Sequence, residues 1–77
     1  MRVCNLPCFG IVVEHDDQGG KITSELHEKG EGRALKAAID TLEAFILACA
    51  VAGINIESPA FLEAVETTVD GITNNLG

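Results

Sequence analysis

Cys4, Cys8 and His15 are the residues of this 77-residue chain whose types best suit chemistry, and the chemistry they suit is zinc ligation. Thiolates and neutral imidazoles hold Zn2+ tetrahedrally, and a structural metal would brace a domain of this size. The Cys-x3-Cys spacing falls within the looser range for paired ligands, with His15 or His27 as further donors. No second Cys/His pair follows at a standard interval. Cysteine is also among the most buried residue types as a plain hydrophobe. We therefore expect Cys4 and Cys8 to pack rather than to ligate, and no cofactor is called for. Cys49, inside an apolar run, carries the same expectation.

A nucleophilic thiol needs a neighbouring base or positive charge to lower its pKa. His15, flanked by Glu14, Asp16 and Asp17, reads as a solvated turn residue, and His27 falls at the other end of the same hairpin. Neither is placed to activate Cys8. The acids of that turn do not match the spacing of an EF-hand loop. Gly30-Glu31-Gly32 lacks the third glycine of a dinucleotide loop, and Gly19-Gly20-Lys21 lacks the Walker pattern. Asp40 with Glu43, and Glu63 with Glu66 and Asp70, pair at helical spacing. Acid–base work needs a cleft that separates two carboxyl pKa values, whereas these read as solvated helical faces. No catalytic constellation emerges.

The elements that position these residues follow from periodicity. Phe9, Ile11 and Val13 alternate with Gly10, Val12 and Glu14, and Ile22, Ser24 and Leu26 alternate with Lys21, Thr23 and Glu25. Between them, residues 15–20 carry turn chemistry with two glycines, so residues 9–26 read as a β-hairpin. Met1 to Leu6 can add a short edge strand that Pro7 ends. After a glycine-broken linker, Leu35, Ile39, Leu42, Ile46 and Cys49 recur at helical spacing, predicting a helix over 33–52 that Gly53 caps. Ser58-Pro59 opens a second helix over 59–75, with Phe61, Leu62, Val65, Val69, Ile72 and Leu76 on its apolar stripe. Its wet face carries Glu63, Glu66, Thr67, Asp70 and Asn74. The result is one α+β domain, ββαα, with its two helices antiparallel across a short connection.

Composition decides what such a domain needs. Hydrophobic residues make up 47% of the chain but aromatic ones only 4%, so the core rests on aliphatic side chains. Small cores of this kind usually recruit a disulfide, a metal or a partner subunit. Residues 44–52 carry no charge on any side, and one hairpin and one amphipathic helix cannot cover them all round. We expect a second copy to do so, most simply in a twofold dimer through Phe45, Leu47, Ala48 and Val51, or along the hairpin edge.

The net charge is −7, and no Lys or Arg follows Lys36. Such a surface repels phosphate backbones, which argues against nucleic-acid binding. It could steer the chain toward a basic protein as an acidic decoy. The longest apolar stretch, Ala44 to Ile54, is too short for the roughly 20 residues of a membrane span. An odd cysteine count and no targeting segment at the N-terminus point to reduced thiols in the cytoplasm.

The runs Ala38-Ile39-Asp40, Leu42-Glu43, Gly53-Ile54 and Ser58-Pro59-Ala60-Phe61 resemble short uncharacterised bacterial or phage-borne proteins. The likeness covers Ala34 to Leu76. It implies a prokaryotic or phage source and brings no activity to carry over. The function expected is that of a small, non-enzymatic, homo-oligomeric interaction or accessory protein. The alternatives are a zinc- or thiol-dependent protein using Cys4 and Cys8, and the acidic decoy.

Overall fold

The computed structural model describes residues 1–26 and 32–76, with Asn75 and Leu76 described in backbone only. In chain order come β1 (Arg2–Leu6), β2 (Ile11–Asp16), β3 (Gly19–Thr23), α1 (Arg33–Val51) and α2 (Pro59–Leu76), with a 3-10 turn at Cys8–Gly10. This is the expected α+β order, strands first and helices after. The linker around His27 to Glu31 lies outside the described residues.

The hairpin is two strands of a three-stranded antiparallel meander, ordered β1-β2-β3. β1 pairs with β2 along its whole length, from Arg2↔His15 to Leu6↔Ile11. Its alternation buries Cys4 and Leu6 and leaves Val3 and Asn5 outside, so a third strand adds core as well as hydrogen bonds. Phe9 belongs to no strand. With Gly10 it takes a positive φ of 59°, and the two residues turn the chain from β1 into β2. The half-buried ring packs against the core, and the Glu25 N–H donates to the Phe9 carbonyl at 3.0 Å.

The turn between β2 and β3 is shorter than residue types suggest. Only Asp17 and Gln18 lie outside the strands, and the Asp16 carboxylate accepts the Gln18 N–H at 2.9 Å. The alternation of β2 therefore runs on through His15, which is 7% exposed on the inner face beside Val13 and Ile11. Opposite His15 stands Gly20, where a Cβ would lie 2.1 Å from the Glu14 carbonyl oxygen. Only glycine fits there.

α1 packs across the inner face of the sheet against β2 and β3. Ile39, Leu42, Ile46, Cys49 and Ala50 meet Leu6, Ile11, Val13 and Leu26 in one cluster that Val65 and Val69 of α2 extend. Leu6, Ile11, Val13, Leu26, Ile46 and Ile56 are the largest side chains buried completely, each worth about 1.5–3 kcal/mol of transfer free energy. Glu43 joins this inner face, at 3% exposure, instead of the solvated one. Its carboxylate accepts a short hydrogen bond from the Ser24 hydroxyl, which ties α1 to the segment just after β3. Hydrogen bonding of this kind is what makes a buried carboxyl tolerable.

Candidate functional site

Two terminations set the angle between the helices. At the end of α1 the Ile54 N–H reaches back to the Cys49 carbonyl at 3.0 Å and the Gly53 N–H to the Ala50 carbonyl at 3.1 Å. This is the Schellman arrangement, with Gly53 in the left-handed conformation at φ 88°. Four residues on, the Ser58 hydroxyl accepts the Phe61 N–H at 3.3 Å and caps α2. Between the two, Ile56 is buried and anchors the connection in the core.

The helices thus start close and leave a groove between them. Ala38, Thr41 and Phe45 of α1 form one wall; Phe61, Ala64 and Thr68 of α2 form the other, around a volume of about 550 Å3. The rings of Phe45 and Phe61 stack with centroids 6.5 Å apart and planes 4° from parallel. Both threonine hydroxyls are spent on their own helices: Thr41 donates to the Ala37 carbonyl at 2.9 Å and Thr68 to the Ala64 carbonyl at 2.8 Å. What remains for a visitor is apolar surface.

The four residues expected at an interface fall in distinct places. Phe45 is 60% exposed, and Ala48 and Val51 are exposed on the same outer surface of α1. Leu47 is half-buried and packs against the core, so it serves the fold as well. Ala44 and Ala52 are exposed too. After Asp40, then, the exposed part of α1 bears no ionised side chain. On α2 the exposed acids Glu63, Glu66 and Asp70 fall outside the groove lining, on the wet side expected of them.

The chemistry-bearing residues divide differently. Cys4 on β1 and His15 on β2 are diagonal neighbours on the inner face, with Sγ and Nε2 3.9 Å apart. They line a cavity of about 110 Å3 together with Arg2, Asn55 and Glu57. Cys8 does not border it; its place is the 3-10 turn that packs against α2. Among the described residues no three His, Cys, Asp or Glu side chains converge as a metal-holding cluster. His27 lies outside those residues.

Burial pushes the Cys4 thiol above its ordinary value, and the hydrogen bond its S–H donates to Glu57 and the charge of that carboxylate push the same way; Arg2 pulls it back. Burial and then the Glu66 charge raise Cys8, against a backbone hydrogen bond that lowers it. Both sulfurs are therefore held as thiols at neutral pH, the weakly nucleophilic form. The burial of His15 and its approach to Cys4 were not legible beforehand. An unbroken alternation Ile11-Val13-His15 was the available signal, overridden by the acids around it.

Comparison with known proteins adds no likeness to this geometry. No family model matches the chain, no curated protein matches it in sequence, and no solved structure matches it in fold. Among the described residues, no helix is long and apolar enough to cross a membrane.

Proposed function

We propose that this chain is a small, non-enzymatic interaction module that works as a homo-oligomer, most simply a dimer. The observation that carries the reading is the exposed, charge-free surface of α1 from Thr41 to Val51, on a chain whose net charge is −7. Apolar surface left open on a small domain marks a contact site. A twofold contact sets each surface against its own copy, so like charges within it count double. The outer surface of α1 avoids that penalty, whereas the acidic side of α2 incurs it. The free thiols of Cys4, Cys8 and Cys49 suit a reducing compartment, and we place the protein in the cytoplasm.

Light scattering behind size exclusion tests this directly. Micromolar protein is expected at twice the chain mass of 8.1 kDa, unchanged by EDTA. Ala48→Asp, at an exposed helical position, is expected to return the single-chain mass with its helix content intact. A wild-type protein that stays single-chain at every concentration overturns the reading. A dimer lost in EDTA instead brings the Cys4 and His15 cavity forward as a metal-dependent element.

A further inference from the structure

We infer that Cys4 and His15 together form a binding site for one soft monovalent metal ion, of the copper(I) class, held between Sγ and Nε2. The site is independent of self-association.

The strands bring the two ligands together. Cys4 on β1 and His15 on β2 are diagonal neighbours on the inner face, and both are more than nine-tenths buried, at 8% and 7% exposure. Paired strands fix such side chains more precisely than a loop would. β3 closes on His15 from the other side, since a Cβ at Gly20 would lie 2.8 Å from the His15 Cβ. The pair borders a cavity of about 110 Å3 whose lining also includes Arg2, Asn55 and Glu57, all three exposed. Those side chains mark the way in from solvent. Neither Cys8 nor Cys49 lines the cavity.

Donor type and geometry then choose the ion. A thiolate paired with an imidazole favours copper(I) or zinc over hard cations. Zinc asks for four ligands at tetrahedral angles. Among the described residues, no third His, Cys, Asp or Glu completes a metal-holding cluster. With bonds of about 2.3 Å to sulfur and about 2.0 Å to nitrogen, a tetrahedral angle would set the two atoms roughly 3.5 Å apart. Sγ and Nε2 stand 3.9 Å apart, which with those bonds opens the angle at a bridging ion to about 130°. Wide angles belong to ions that take two or three ligands, as copper(I) and silver(I) do. Charge selects the same class. A monovalent ion takes the place of the thiol proton, which leaves to solvent, so the charge of the buried pair is unchanged and no electron is transferred. A divalent ion would add a positive charge there, and Arg2 and Glu57 at the rim already offset each other.

Silver(I), redox-stable and of the same class, is the probe. It is titrated into four proteins: wild type, Cys8→Ala with Cys49→Ala, Cys4→Ser, and His15→Gln, with circular dichroism checking that each is folded. The Cys8→Ala, Cys49→Ala protein is expected to keep one tight ion per chain, and Cys4→Ser to lose it. Changes outside the ligand set alone cost roughly 10–100-fold, so losing the imidazole should weaken binding by at least about tenfold. Nitrogen-15 NMR of the wild type decides even where a variant fails to fold. Bound silver should shift the His15 Nε2 resonance and split it by coupling to the silver nucleus. Wild-type affinity in His15→Gln, or an Nε2 resonance that silver leaves unsplit, overturns the inference. Zinc added alone is expected to leave that resonance in place; zinc held there as tightly as silver overturns the choice of a monovalent ion.

Discussion

The two sides of α1 are a study in contrast. Toward the sheet, Ile39, Leu42, Ile46 and Cys49 are buried, and the one carboxyl there, Glu43, is hydrogen-bonded to Ser24. Away from it, Ala44, Phe45, Ala48 and Val51 are apolar as well and stand in the open. The inner side carries the large aliphatic side chains, but an apolar residue type on the outer side does not by itself find something to pack against. From Ala44 onward the helix bears no charge on any side, and its own chain covers only part of it. The inner side is buried in the core of the chain, and the outer side is the one on which the proposed association rests.

If that division is real, substitutions on the inner side should cost folding free energy and those on the outer side should cost association. The largest effect is expected from Ile46→Ala, whose side chain is wholly buried: about 2–5 kcal/mol lost in urea denaturation, with a cavity left in the core. Gly20→Ala comes next, at about 1–3 kcal/mol, because its methyl group must displace the backbone of β2. It should also lift His15 from Cys4, which the ring resonances of His15 would report by NMR. A Gly20→Ala protein as stable as wild type would show that β3 has room we deny it.

Smaller effects sharpen the contrast from the other side. Phe45→Ala is expected to change the stability of the isolated chain by under about 1 kcal/mol, since its ring is mostly in solvent. A loss of several kcal/mol in the dilute, monomeric protein would mean that Phe45 belongs to the core after all. Alkaline pH probes the inner side without a substitution. Cys4 and Cys8 are raised above the ordinary thiol value of 9.0 in the folded chain, so the unfolded chain releases those protons first. Their contribution is present below that value and is lost as pH climbs above it. The urea midpoint should fall from pH 8 to pH 10, and fall less in a Cys4→Ala, Cys8→Ala protein. Least of all, Lys21→Ala should cost at most about 0.5 kcal/mol, its 3.6 Å pair with Glu14 being solvated.

Periodicity alone settled both helices. The apolar spacing of α1 and α2, Gly53 after the first and Ser58-Pro59 before the second place their ends almost where the structure has them, because capping and helical repeat are local physics. It also separated the wet face of α2 from its buried one. What residue type could not supply was the partner of each surface. Phe9 looked like strand and became a left-handed turn residue, because β1 needed a route back into register with β2. His15 and Glu43 looked solvated by their charge and their neighbours, yet tertiary packing supplied Cys4 to one and Ser24 to the other. The groove is the clearest case. Its walls, Phe45 and Phe61 among them, come from two helices whose separation is set by their terminations and by Ile56 between them, and no single segment encodes a space between segments.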